Sequence, residues 1–339
     1  MGLRKISTSL LLWLLFIGNL SASDSISIFD FFSQHDSLAI QVTTDLRQLL
    51  KKKDEYIPAR IVVSSQEGII MDYEGEIRTR GNARKAVCFV PPTKLRFEKD
   101  YLRSLGFSKY PTIKVVNACS LTDLHEGYVW SEYLAYKLNQ LFTHRSFRTK
   151  MVSLIYEDSE GKRKTMSFDG FLIEHEDQMA DRINGSVYDL KYFQEKMLDR
   201  ESFLEFCMFQ YLIGNTDWKI LNRHNVRIIR VSKEKAVYPV AYDFDYAGLV
   251  NTHYAVPHES LPLDNVRERL YVGPCFTEEE LSKAKAKFVS NKDKIFEMID
   301  ESNLTDKNKK SAIDYVEDFF KVLEDERQAP YVFVKCRHY

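Results

Sequence analysis

The sequence predicts an α+β fold with two lobes, a β-rich N-terminal lobe and a mainly helical C-terminal lobe, separated by a cleft. Three observations predict this class. Between residues 56 and 118, short segments rich in β-branched and aromatic residues alternate with turns. A long helical pattern follows at 124–142. From residue 199 onward most segments have helical periodicity, interrupted by one predicted β-hairpin within 225–245.

The first 23 residues are expected to be a signal peptide outside the fold. Arg4 and Lys5 precede an apolar run that is too short for a comfortable membrane span, and the small residues 21–23 resemble a cleavage site. The alternative is an uncleaved N-terminal anchor. No later run approaches spanning length, so we expect an exported chain without a stable membrane span, located in the periplasm, on the cell surface or in the medium.

Composition excludes some classes of protein. The 339 residues suffice for one large or two small domains, and the 48 basic and 49 acidic residues nearly balance, which argues against a nucleic-acid partner. The five cysteines are far apart and odd in number, so at least one is free or pairs outside the chain. Cys207 lies in an apolar run and is expected to be buried.

The N-terminal lobe is expected at residues 56–176, after a lead-in segment at 24–55. Its helix at 124–142 carries Val129, Tyr133 and Tyr136 at the i, i+4 and i+7 positions of a broad apolar stripe. The β-segments of this lobe are 59–65, 68–82, 93–99, 110–118 and a hairpin within 151–177 that turns at Glu160–Gly161.

The C-terminal lobe is expected at residues 177–339. Asp199 is a plausible N-cap of a buried helix that stops at Gly214. Thr277 and Glu280 form a capping box that opens a second long helix. A third helix is predicted at 309–326.

Two short motifs, IGNTDWKILNRHNVRII and YPVAYDFDYAG, bring acidic and amide residues together. Asp217 follows the buried helix in a polar loop and is the candidate catalytic base. Asn225 precedes one hairpin strand and Asp243 follows its partner, so the two are expected to meet. Asp245 has the same strand parity as Asp243 and is a further candidate ligand of the same metal. Asn222 is the alternative amide. Such a set can hold a Mg²⁺–nucleotide and activate a hydroxyl, which predicts a phosphotransferase.

These motifs carry a resemblance to a known family. NTDWKILNRHN followed by AYDFD resembles the CotH-like spore-coat kinase family, with a fainter likeness to HipA-like kinases. EIRTRGN, TKLRFEK, SEYLAYKL and FLIEHED resemble, in order, the turn, basic strand, helix and hinge strand of that family, so the likeness covers roughly residues 60–250. The segment 83–85 departs from the family pattern, and about three extra residues separate Asp217 from Asn225.

The resemblance implies an atypical protein-kinase-like fold that transfers phosphate from ATP. The resemblance implies that Asp217 is the catalytic residue and that Asp243, together with Asn225 or Asn222, binds Mg²⁺ or Mn²⁺. It implies that Lys94 contacts the phosphates, with Arg96 as the alternative. Glu132 would pair with this phosphate-binding cation, with Glu126 as the alternative. Glu174, in the hinge strand, is the remaining nucleotide-binding residue that it implies.

Further expectations concern the contacts to the phosphates, the loop that carries Asp217, and the acceptor. Arg80, with Arg78 and Gly81, could present cations and a flexible turn to the phosphates. His224 is expected to pack its loop, with orientation of Asp217 as the alternative. The acceptor would be an exported protein or a glycan; AMP transfer and a catalytically inactive binding module are the competing functions.

Overall fold

The structure, a computed structural model, describes residues 26–52, 54–81, 83–107, 110–189 and 193–337. The expected signal peptide lies outside these residues. Seven strands form a closed barrel with the neighbour order β1-β2-β3-β4-β5-β7-β6. They are β1 (Ala39–Thr44), β2 (Ile57–Ser65), β3 (Gly68–Thr79), β4 (Thr93–Arg96), β5 (Thr112–Asn117), β6 (Thr149–Asp158) and β7 (Met166–Ile173).

The barrel closes through β1, which lies in the segment expected to be a lead-in. This strand pairs antiparallel with β2 and parallel with β6, and Ile40, Val42 and Thr44 point into the core. The expectation of a two-lobed kinase-like fold is therefore wrong: the fold is a closed mixed barrel with helices and a second, smaller sheet. Pairing between β1 and β6 joins residues more than 100 positions apart and has no local sequence signal.

The second sheet has the order β10-β9-β8, and both of its strand pairs are antiparallel. Its strands are β8 (Gly185–Val187), β9 (Val226–Val231) and β10 (Val237–Ala241). The described helices are α1 (Ile28–Ser33), α2 (Leu46–Lys51), α3 (Arg84–Val87), α4 (Lys99–Ser104), α5 (Asp123–Phe142), α6 (Glu176–Arg182), α7 (Arg200–Ile213), α8 (Glu278–Val289), α9 (Lys292–Asp300), α10 (Asp306–Glu324) and α11 (Gln328–Phe333).

The local start and stop signals are confirmed. Asp199 caps α7 by accepting from the backbone N–H of Ser202, and Gly214 ends the helix in the left-handed region at φ 63°. Thr277 and Glu280 form the expected capping box. The long helix predicted to follow them is divided into α8 and α9, with a break at Ser290.

Buried aromatic rings join the barrel to the rest of the molecule. Tyr136 of α5 packs against Phe171 of β7 at 5.6 Å and against Phe244 at 4.7 Å between ring centroids. Phe244 in turn contacts Phe209 of α7 at 5.8 Å. Because Phe244 lies between two acidic residues of the YDFDY motif, this packing fixes the backbone on which they are placed.

Disulfides link Cys88 to Cys119 and Cys275 to Cys336, and Cys207 is buried and free, which confirms the expectation for Cys207. Across the residues that the structure covers, no helix has both the length and the apolar character needed to cross a bilayer.

Candidate functional site

A cavity of about 230 Å³ lies where three loops meet. These are the loop between β3 and α3, the loop between α7 and β9, and the segment that follows β10. The charged and amide side chains that line the cavity are Arg80, Arg84, Asp217, His224, Asn225, Asp243 and Asp245. The cavity thus unites half of the candidate site residues from the sequence, namely Arg80, Asp217, Asn225, Asp243 and Asp245.

Asp217 is held by neighbours on its own loop. Its backbone N–H donates to Asn215 Oδ1 at 3.0 Å, which forms a tight turn directly after α7. One carboxylate oxygen lies 2.9 Å from His224 Nε2, and the other accepts from Asn225 Nδ2 at 2.9 Å. About a third of the Asp217 side chain remains exposed to the cavity. The carboxylate is therefore oriented but still open on one side.

His224 has a role that the sequence interpretation ranked second. Its side chain is 46% exposed, and its Nε2 lies 2.9 Å from Asp217 Oδ1 in the same loop. The contact arises because Lys219 and His224 pair as an isolated β-bridge, with two backbone hydrogen bonds of 3.0 Å, which turns the loop back on itself. Orientation of Asp217, the alternative reading, agrees with this geometry.

Asn225 and Asp243 meet at the open end of the β9–β10 hairpin, as the sequence predicts. Both have left-handed backbones, with φ of 52° and 64°, and the N–H of Tyr242 donates to the Asn225 carbonyl at 3.2 Å. The Asp243 N–H donates to the Tyr136 hydroxyl at 2.9 Å. Asn and Asp tolerate this region better than most residues, yet two such backbones side by side are a feature typical of functional sites.

The Asp243 carboxylate is well placed for an external ligand. Within the described ranges this carboxylate makes neither a hydrogen bond nor an ion pair, although its negative charge contributes to raising the pKa of Arg84. The amide nitrogen of Asn225 is committed to two oxygens of Asp217, at 2.8 and 2.9 Å, which leaves its carboxamide oxygen as an acceptor. The two side chains therefore supply hard oxygen donors to the same cavity.

Asn222 does not join this group. It lines a neighbouring groove instead of the cavity, and its side-chain oxygen accepts from the backbone N–H of His224 at 3.1 Å. The geometry therefore favours one of the two alternatives for the metal-binding amide: Asn225 lies beside Asp243 in the cavity, and Asn222 does not.

A buried ionic triad lies behind the cavity. Arg84 donates through Nε to Asp245 Oδ2 at 2.8 Å and through Nη2 to Glu132. The side chains of Arg84, Glu132 and Asp245 are only 9%, 1% and 8% exposed. Tyr254 adds a hydroxyl hydrogen bond to Asp245 at 3.1 Å. This triad ties α3, α5 and the segment after β10 together.

The triad corrects two expectations from the sequence. Glu132 pairs with Arg84 and not with Lys94 or Arg96, and Asp245 is engaged by Arg84, so its sharing of a metal with Asp243 is not supported. Burial raises the pKa of Glu132 to about 7, against the attraction of Arg84. Burial and the neighbouring charge of Asp243 also raise the pKa of Asp245. The Glu132 Oε1 atom is buried without a hydrogen-bond partner among the described residues.

A row of cations crosses three strands next to the cavity. Arg78, Lys94 and Lys114 are directly opposite one another on β3, β4 and β5, and therefore share one face of the sheet. Arg80 lies two residues beyond Arg78 and lines the cavity. Burial, and then the charge of Arg78, lower the pKa of Lys94. Lys94 is thus close to the expected phosphate site, although it does not line the cavity itself.

Lys114 is the most enclosed member of the row. Burial, followed by the charge of Arg80, lowers its pKa to about 7, while Glu176 opposes the shift. Its Nζ is 3.9 Å from Glu176 Oε2, and that carboxylate also accepts from Arg227 Nε at 2.6 Å. One carboxylate is shared by two cations, so the local charge is positive.

Two of the expected nucleotide contacts lie elsewhere. Arg96 is on the face of Lys94 but pairs with Glu76 and stacks on the ring of Tyr56 at 3.9 Å, away from the cavity. Glu174 is fully buried and pairs with Arg148 at 2.8 Å and with a second arginine. The structure supports neither expectation, because oppositely charged side chains engage both residues.

Sequence reasoning missed Arg84 and Lys114. Arg84 was visible only as a departure from the family pattern at 83–85, and its meaning depends on a helix and a loop that are distant in sequence. Lys114 lies in an ordinary strand, YPTIKVV, and only the register with Lys94 shows its place in the row.

The donor set suits Mg²⁺ bound together with phosphate oxygens. No group of three or more His, Cys, Asp and Glu side chains that could hold a metal exists in the part of the chain described. Magnesium commonly uses one or two protein oxygens and takes its other ligands from water and substrate phosphates. The Asn225 and Asp243 oxygens match this mode, whereas zinc sites are built mainly from Cys sulfur and His nitrogen.

No protein-family model matches the chain, and no curated protein matches it either. The resemblance to the CotH-like family therefore stays a prediction.

Proposed function

We propose that this chain is an exported phosphotransferase that moves the γ-phosphoryl group of Mg-ATP to a hydroxyl of a protein or surface-polymer acceptor. The observation that carries the proposal is the convergence of Asp217, Asn225 and Asp243 in one cavity with Arg80 on its wall. A positioned carboxylate, metal-binding oxygens and a phosphate-binding cation are the parts that phosphoryl transfer requires. The same motifs resemble those of CotH-like kinases, and this resemblance supports the proposed activity although the fold is not the kinase-like fold that it implied.

The residues of the cavity have different roles in the proposed phosphoryl transfer. Asn225 and Asp243 would hold Mg²⁺, and the bound ion would offset the negative charge of the nucleotide phosphates. Asp217 accepts the proton of the acceptor hydroxyl as that oxygen bonds to the γ-phosphorus and the bond to ADP breaks. His224 and Asn225 keep the Asp217 carboxylate in place, since each engages one of its oxygens.

Cations extend from the cavity along the barrel wall. Arg80 lines the cavity, and Lys94 and Lys114 follow it on neighbouring strands. At about 230 Å³ the cavity is smaller than most small-molecule pockets, which measure about 300–1,000 Å³. We therefore assign the cavity to the terminal phosphates and the acceptor hydroxyl, and the cation row to the remaining phosphates.

Export is part of the proposal. Two disulfides link the described cysteines apart from Cys207, and such bonds persist mainly in oxidising compartments. The signal-like N-terminus of the sequence points in the same direction.

Calorimetric titration with ATP tests the nucleotide site. We expect metal-dependent binding by the wild-type chain and at least about tenfold weaker Mg-ATP binding by Asp243→Ala, because a metal ligand is removed. Asp314→Ala, which removes an exposed carboxylate on α10, is the matched control and should bind like wild type. Equal Mg²⁺ dependence in wild type and Asp243→Ala would refute the metal role.

Transfer is tested separately with Asp217→Asn. We expect it to bind Mg-ATP nearly normally and to lose about 100-fold or more of its transfer rate, because proton removal by a positioned base contributes on that order. ATP labelled at the γ-phosphate is compared with ATP labelled in the adenine. Adenine label in the product would indicate that the chain transfers AMP and not phosphate. Absence of nucleotide binding would favour an inactive binding module.

A further inference from the structure

A second and larger concavity, about 510 Å³, lies on the other side of the loop that carries Asp217. Thr216 and Trp218, the two neighbours of Asp217, line this groove, whereas Asp217 itself faces the cavity. A molecule in the groove is therefore one residue away from the proposed base. We call this concavity the acceptor groove.

The accessible part of the acceptor groove is aliphatic. Leu221 on its rim is 70% exposed, and Leu261 and Val272 are half-buried along the same groove. The aromatic rings beneath are covered: Trp218 is 7% and Phe203 4% exposed. Sugar rings are bound on open aromatic faces, and this groove offers aliphatic side chains instead.

The charges of the groove nearly cancel. Glu195 and Lys219 have opposite signs, and His258 engages Ser260 Oγ through Nδ1 at 2.8 Å. The nucleotide side is different, since the cavity holds full charges of both signs, among them Arg80, Asp217 and Asp243, and the strand cations lie beside it. A highly charged ligand therefore gains nothing from the groove, whereas an apolar side chain gains burial of its surface.

We propose that the acceptor groove binds a polypeptide acceptor by an apolar side chain within a few residues of the hydroxyl that is phosphorylated. This inference rests on the proposed function and selects a protein substrate over a glycan. The continuity of the groove with the Asp217 loop supports it, because an extended peptide advances about 3.3 Å per residue and can reach both sides of the loop. Asn222, which faces the groove, is available to the peptide backbone.

The test uses fluorescein-labelled serine peptides that differ only in one flanking residue, leucine or glutamate, and an uncharged oligosaccharide of similar mass. Binding is measured by fluorescence anisotropy on the full mature chain, and phosphorylation is measured on the same probes. The variant is Leu221→Glu, with Leu105→Glu as its control, because Leu105 is also exposed (49%) but lies beside α4, outside the groove.

We expect the leucine peptide to bind more tightly than the glutamate peptide, and Leu221→Glu to weaken it about tenfold while Leu105→Glu leaves it unchanged. Preference for the oligosaccharide, or equal binding by Leu221→Glu and wild type, would overturn the inference. Peptide binding that depends on Leu221 without any phosphoryl transfer would support the groove as a polypeptide site and count against the proposed function alone.

Discussion

Substitution of Arg84 by methionine should destabilise the protein strongly at neutral pH. Methionine keeps much of the volume but leaves Glu132 and Asp245, whose side chains are 1% and 8% exposed, as two buried carboxylates without their shared cation. Breaking a buried ion pair by removing one partner costs about 3–5 kcal/mol of unfolding free energy. We expect a loss in this range at pH 7.5.

The loss should shrink as the pH falls. Burial raises the folded-state pKa of Glu132 from 4.5 to about 7, so between these values the folded state binds its proton more tightly than the unfolded state. Stability from this group is present at low pH and is lost as the pH rises through about 7. At about 1.4 kcal/mol per tenfold change in proton affinity, the rise is worth about 3 kcal/mol, and removal of Arg84 increases it.

The assay is urea unfolding, followed by tryptophan fluorescence, at pH 5.5, 6.5 and 7.5. Arg96→Met is the control: it breaks the pair with Glu76, whose side chains are 42% and 40% exposed, and exposed pairs contribute about 0–1 kcal/mol. The reasoning fails if Arg84→Met costs no more than Arg96→Met, or if its cost is the same at all three pH values.

Two further predictions concern the nucleotide site and its loop. Mg-ATP affinity should fall as the pH rises through about 7, where buried Lys114 loses its proton; titration from pH 6 to 8.5 should show this fall in wild type and not in Lys114→Met, and identical profiles would contradict it. Gly214→Ala should cost more than about 2 kcal/mol in urea unfolding, because φ is 63° and a Cβ would meet the Tyr315 hydroxyl at 1.8 Å. Gly161→Ala has a similar φ of 65° in open space, so it isolates the backbone strain of about 1–2 kcal/mol, and an equal cost for both would show that the clash is relieved.

The residues of the cavity were predictable where short-range geometry decides. Asn225 and Asp243 flank the two strands of one hairpin, so their meeting follows from antiparallel pairing, and Asp217 follows a helix whose stop at Gly214 is written in the sequence. The contact of His224 with Asp217 was ranked second because the fold of this short loop depends on one isolated β-bridge.

Other assignments failed because charged side chains choose partners across the fold. Glu132 and Glu174 have suitable positions for a nucleotide site in the sequence, but arginines from distant segments engage both. A buried carboxylate is stable only beside such a partner, and the partner is not visible from local sequence.

The sequence by itself determined strands β2 to β7, the cap and stop of α7, the capping box of α8, the β9–β10 hairpin that joins Asn225 to Asp243, and the placement of Asp217 after a buried helix. These features depend on periodicity and on turn chemistry over a few residues. Only the tertiary structure decided that β1 closes a seven-stranded barrel, that Lys114 stands opposite Lys94, and that Arg84 joins Glu132 to Asp245. Those arrangements arise from burial and strand register between segments far apart in the chain, where hydrophobic patterning alone is compatible with several pairings.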